Sequence, residues 1–234
     1  MATPPGSART DELAEQIVGT YFALRAAMTI LAVGLPVVLI GWSLADPALP
    51  VLGSISEYYW SPARDVFVGA LVGTGITLIC YRGYGPLENR LLNVAGTLLV
   101  IVALVPTDPP GDEAFGLRMA VHAAAAVGFF VTFAASVWWC ADDTLGSSDD
   151  SARRIRRYRA AYRVVAFVVV IAPLVALGLV LLFGQGALAV LVVEAVAVVT
   201  FGGYWALKSY ELRGTRRRRS EEHTSELQSR PHLV

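Results

Sequence analysis

Four separated stretches of this chain carry side chains able to do chemistry. They are Ser54 to Asp65, with Ser54, Ser56, Glu57, Tyr58, Arg64 and Asp65; Asp108 with Asp112 and Glu113; Arg118 with His122; and Glu194 alone. Arg118 and His122 are four apart and so share a face if their segment is helical. A carboxylate-rich loop opposite a cation and an imidazole would make a polar site for a headgroup, a small ligand or a proton, with Glu57 and Asp65 facing Arg118 and His122. Glu194 falls well inside an apolar run, on the order of 12 Å deep at about 1.5 Å per residue. A charge at that depth is costly in lipid, so the side chain faces its neighbours, pairs or carries a proton. The purely structural alternative makes His122 and Glu194 interhelical hydrogen-bond partners and places Arg64 and Asp65 in an interfacial ion network. Both readings stay open at this level, and the candidate ligand-binding residues are Ser56, Glu57, Tyr58, Arg64, Asp65, Arg118, His122 and Glu194.

Catalysis has less support. Ser54 and Ser56 have no histidine near them in sequence and no G-x-S-x-G context, so no catalytic residue is assigned. H-E-x-x-H and equivalent spacings do not occur, and neither a metal nor a cofactor is expected. Cys80 and Cys140 are not paired as C-x-x-C, which argues against a thiolate site or a disulfide framework.

The elements that must position these groups follow from composition. Hydrophobic residues make up 55% of the 234 and charged residues only 16%, outside the usual range of globular domains. Apolar runs lie at about 26–45, 65–81, 87–105, 119–140, 164–183 and 187–207. Most reach the roughly 17 to 25 residues that span a hydrocarbon core. Strict alternation is absent, so helices rather than barrel strands satisfy the backbone in lipid. The expected fold is all-α, a single polytopic transmembrane bundle of six helices.

The net charge of zero hides a sorting along the chain. With the N-terminus in the cytoplasm, fifteen basic residues fall on that side, and only Arg64 and Arg118 fall on the other. The positive-inside bias therefore places both termini in the cytoplasm. Trp42 and Trp60 lie near the outer boundary and Trp138, Trp139 and Trp205 near the inner one, where amphipathic rings prefer to sit. Arg153, Arg154, Arg156, Arg157 and Arg159 adjoin the fifth span and are suited to anionic headgroups, each contributing about 1 kcal/mol near the surface. No basic module or stacking platform suggests nucleic acid as a partner. The polar lead with Asp11, Glu12 and Glu15, and the lack of an A-x-A site, argue against a cleaved signal peptide.

Local signals set the boundaries. The first helix is predicted to start near Asp11, with acids in its first turn, and to kink at Pro36. Ser61 and Pro62 read as an N-cap and first helical position for the second helix. Gly69 and Gly73 form a G-x-x-x-G packing face, with Gly75 beside it. Pro86 and Glu88 open the third helix after a tight turn at 81–85, Asp112 is placed to cap the fourth, and Gly184 to Gly186 turn the fifth into the sixth. Arg219 to Ser229, RSEEHTSELQS, matches the in-frame translation of a common sequencing-library adapter, so 219–234 are set aside as an artefact and the native C-terminus is expected after Thr215.

The outer loop S-I-S-E, followed by P-A-R-D-V-F-V-G at the start of the second of six helices, resembles the Frag1/DRAM-type membrane proteins and their bacterial relatives. The matching positions are Ser56, Glu57, Pro62 and Phe67, while Tyr58, Tyr59 and Trp60 depart from that pattern. The resemblance implies a compact six-helix bundle without a settled catalytic activity. Eighteen arginines against one lysine suggest a GC-rich bacterium and hence its inner membrane. The expected function is non-enzymatic binding or sensing of a lipid or small molecule at an outer-leaflet polar pocket. The alternatives are an outer-leaflet lipid-processing enzyme and a proton-coupled transporter subunit. Membrane lipids are the expected partners, and a homodimer is possible, since six spans would need to pair to enclose a transport path.

Overall fold

The computed structural model describes residues 7–109, 116–141, 152–183 and 188–229. Six α-helices account for most of them: α1 Ser7–Ala45, α2 Arg64–Cys80, α3 Pro86–Leu104, α4 Leu117–Cys140, α5 Ala152–Phe183 and α6 Leu188–Ser229. A five-residue 3-10 helix, Ser56–Trp60, lies between α1 and α2, and no strand occurs among the described residues. Five of the helices are long and apolar enough to cross a membrane. The exception is α2, whose 17 residues rise about 25 Å at ~1.5 Å each. The chain therefore has the architecture of a multi-pass membrane protein.

Short connections make successive helices antiparallel neighbours, and each packs mainly against the one before and the one after it. Contact between α6 and α1 closes the ring. Small residues set the two closest approaches. A Cβ on Gly75 of α2 would lie 2.7 Å from the Gly96 carbonyl oxygen of α3, and one on Gly202 of α6 would lie 2.8 Å from Val33 Cγ2 of α1. Gly69, by contrast, faces open space and Gly73 meets Leu31, so Gly75 with Gly96, rather than the predicted G-x-x-x-G, brings α2 onto α3. The spacing rule picked out one stripe of α2, while helix rotation turned a different small residue toward α3.

Three other boundaries differ from expectation. α1 starts at Ser7 without acids in its first turn and continues through Pro36. α2 starts at Arg64, after a turn in which Ser61 Oγ accepts the Ala63 amide at 3.1 Å, so Ser61 caps that turn rather than the helix. Gly116 holds the N-cap position of α4, and Asp112, Glu113 and Gln185 lie outside the described residues. The α2–α3 turn is as predicted: Pro86 opens α3, the Glu88 carboxylate accepts the Tyr84 amide at 2.7 Å, and Asn89 Oδ1 accepts that of Gly83 at 2.6 Å.

The interior of the ring is layered. Its middle is aromatic: Phe133 packs on Phe201 at 4.6 Å between centroids and on Tyr204 at 5.3 Å, while Trp205 packs on Tyr204 and on Tyr81, each at 5.0 Å. Toward the end that carries the α1–α2 connection, here the roof end, this layer gives way to a cavity. Toward the other end it gives way to buried charge.

Candidate functional site

The roof is built from residues 53–60, which fold inward because they satisfy their own polar groups. Ser54-Ile55-Ser56-Glu57 behaves like a capping box: Ser54 Oγ accepts the Glu57 amide at 3.1 Å, and the Glu57 carboxylate reaches back to the Gly53 amide at 3.0 Å. Tyr58 is fully buried, with its hydroxyl 2.8 Å from Ser43 Oγ on α1. α6 grips the same turn twice. The Leu191 amide, in the first turn of α6 where intrahelical acceptors are lacking, donates to the Gly53 carbonyl at 2.8 Å, and Glu194 Oε2 accepts the Ile55 amide at 2.6 Å.

On the opposite side, His122 of α4 ties the roof to the end of α3. Its Nδ1 lies 2.7 Å from the Val105 carbonyl oxygen and its Nε2 lies 3.1 Å from Ser56 Oγ. A carbonyl oxygen can only accept, so in the neutral ring Nδ1 carries the proton and Nε2 is left to accept the Ser56 hydroxyl. Trp60 Nε1 donates to the Thr107 carbonyl at 3.2 Å, fixing residues 105–107 from the other side.

Beneath this roof lies a cavity of about 120 Å³. Its polar lining comes from Ser54, Ser56, Glu57, Thr107, His122 and Glu194, while its walls are apolar side chains of α2 to α6, among them Phe67, Leu99, Ala126, Phe130 and Leu177. Thr107 is 3% exposed, and its Oγ1 is buried without a protein hydrogen-bond partner. A buried hydroxyl left unpaired costs about 1 to 3 kcal/mol, so this group is poised to take a partner inside the cavity.

Four of the eight candidate residues therefore meet at one place: Ser56, Glu57, His122 and Glu194 line the cavity. The other four do not. Tyr58 is a core anchor. Arg64 is exposed and occupied by Tyr59, with Nη2 2.6 Å from the Tyr59 hydroxyl and the guanidinium 4.3 Å from the ring centroid. Asp65 is exposed. Arg118 pairs with Asp108 at 3.4 Å and lies over Trp60, rather than facing Asp65. His122 and Glu194 each bind the roof turn instead of one another. Arg64 and Asp65 lie in the first turn of α2, as predicted, but on its exposed side.

The basic run begins α5. Arg153, Arg156 and Arg157 are exposed and three to four residues apart, hence on one flank, whereas Arg154 and Arg159 are half-buried, Arg154 lying over Tyr158. A second polar cluster, at the end opposite the roof, is absent from the candidate set. Arg25, Glu88, Lys208 and Glu211 are all buried there, two cations with two carboxylates. Lys208 Nζ lies 3.6 Å from Glu211 Oε2, and the Tyr162 hydroxyl donates to the same carboxylate. Arg25 donates from Nε and Nη2 to the Tyr81 hydroxyl at 3.0 and 2.8 Å. The i, i+3 spacing of Lys208 and Glu211 was the available sequence signal for this cluster. Thr107 had none.

Among the described residues, no three His, Cys, Asp or Glu side chains converge as a metal site. The chain matches no protein-family model, no curated protein and no solved structure.

Proposed function

We propose that this chain is a six-span protein of a bacterial inner membrane, with both termini in the cytoplasm, that binds a single-chain segment of a lipid or similar amphiphile beneath its outer-leaflet roof. The observation that carries the reading is the joining of apolar walls to a polar ceiling, with the unpartnered Thr107 hydroxyl in that ceiling. An acyl segment suits the walls, and a hydrogen-bonding linkage suits the ceiling. The size supports a segment rather than a whole lipid, since an apolar cavity of roughly 150 Å³ binds a molecule the size of benzene. The Frag1/DRAM-type likeness of the roof turn agrees with a six-helix bundle and adds no ligand. The exposed arginine flank of α5 is suited to anionic headgroups of the inner leaflet, which the positive-inside bias also favours.

Native mass spectrometry of the protein extracted with its lipids tests the binding. Wild type should keep one small amphiphile under conditions that strip peripheral lipid, and Ala126→Phe, which fills the cavity from α4, should lose it while staying folded. Equal retention by both proteins, or none by wild type, would exclude the cavity as the site. The same spectra report the oligomeric state.

A further inference from the structure

The Ser56–His122 contact has the geometry of an activated nucleophile. The histidine is oriented through Nδ1 by the Val105 carbonyl, its other nitrogen is 3.1 Å from Ser56 Oγ, and both side chains line the same cavity. Nucleophile, base and orienting group within hydrogen-bond reach are the parts an acyl-transfer site requires. Here a backbone carbonyl takes the place of the usual carboxylate, which preserves the tautomer and the ring orientation. The third requirement is a donor for the oxyanion, and the cavity offers the Thr107 hydroxyl, buried and without a protein partner. A loop tie alone would explain the contact between Ser56 and His122. It would not explain a free hydroxyl donor held at the same ceiling.

We infer that Ser56 is a nucleophile and His122 its general base in an acyl-transfer site acting on a neutral ester, of which only the short stretch of acyl chain next to the carbonyl occupies the cavity. The inference rests on the binding reading above. Neutral esters are favoured because the residues lining the cavity include no arginine or lysine that could pair with an anionic group. In the first step Ser56 Oγ attacks the ester carbonyl carbon as its proton passes to His122 Nε2, and Thr107 Oγ donates to the developing oxyanion. The carbon–oxygen bond to the alcohol then breaks, and the alcohol leaves with the proton from His122. Water, deprotonated by His122, cleaves the acyl-Ser56 ester, releasing the carboxylic acid and restoring both side chains. Glu57 and Glu194 are positioning residues, since they hold the turn that carries Ser56.

Hexadecyl fluorophosphonate, a long-chain serine-directed probe, separates this activity from mere binding. Detergent-solubilised wild type should take up one adduct, mapped to the peptide containing Ser56. Ser56→Ala should take up none and His122→Gln should react at least about 100-fold more slowly, in line with the usual contribution of a general base. Ser56→Ala removes the partner of the buried His122 Nε2, so its melting curve is recorded beside wild type to show that the unlabelled protein is folded. If folded wild type retains the amphiphile but Ser56 stays unlabelled, or if folded His122→Gln reacts as fast as wild type, the activity is overturned and the binding reading stands. Should His122→Gln unfold, Thr107→Val replaces it, and unchanged labelling of that variant removes the oxyanion role. Loss of binding is read separately, from amphiphile retention in wild type against Ala126→Phe.

Discussion

At the scale of single residues, burial rather than charge divides the polar side chains into those that hold the protein together and those that do not. Glu211 accepts from Tyr162 and lies 3.6 Å from Lys208, all within the bundle, whereas Asp65 is exposed. Removing one partner of a buried pair strands the other and costs about 3 to 5 kcal/mol, while a surface substitution typically stays within about 0.5 kcal/mol. Glu211→Ala should therefore destabilise the solubilised protein by about 3 to 5 kcal/mol. The Lys208→Met/Glu211→Leu double variant should lose clearly less than the two single losses combined. Asp65→Ala should be nearly silent. Denaturant titration of wild type, these variants and the Lys208→Met and Glu211→Leu single variants measures this, and a large effect at Asp65 would return that residue to the site.

At the scale of the elements, close approach between helices is set by small residues whose face the sequence spacing does not specify. A side chain at Gly75 collides with the backbone of Gly96, and backbone cannot rotate away, so Gly75→Val should cost about 1 to 3 kcal/mol or separate α2 from α3. Gly69→Ala meets nothing and replaces a poor helix former with the best one, which should leave stability unchanged or raise it by up to about 1 kcal/mol. Thermal melts of the two variants give the comparison, and equal losses would mean that both glycines lie in contacts. Helix existence was legible because length and hydropathy are local properties of a segment. Which glycine meets which neighbour was not, because it depends on rotation about the helix axis, and that is decided by the whole ring.

At the scale of the molecule, the α1–α2 connection lies at one end of the bundle and the α2–α3 turn at the other. The topology can be tested at exposed positions of those two connections. Ala48→Cys, at the roof end, should react with a membrane-impermeant thiol reagent in intact cells, and Tyr84→Cys, at the other, only after permeabilisation, with Cys80 and Cys140 first replaced. The reverse pattern would invert the orientation. Glu57 is unsuitable as a reporter because it is 6% exposed. About half of the candidate site was legible: ionisable groups in apolar surroundings singled out His122 and Glu194, and the turn motif singled out Ser56 and Glu57. Their partners were not, since His122 meets a serine 66 residues away and Glu194 an amide 139 residues away, and separations of that length leave no local pattern.

Those separations also order events in time. α1 leaves the ribosome first, yet the groove around Thr29 and Val33 is filled only by Gly202, some 173 residues later. The Ile55 amide likewise waits for Glu194, and the Gly53 carbonyl for Leu191. During synthesis α1 to α5 emerge while the roof turn still has unpaired groups, so the cavity has no fixed ceiling until α6 arrives. On the binding reading proposed above, a variant that stops before α6 would lack the Glu194 and Leu191 contacts to the roof turn and so would hold nothing beneath Ser56.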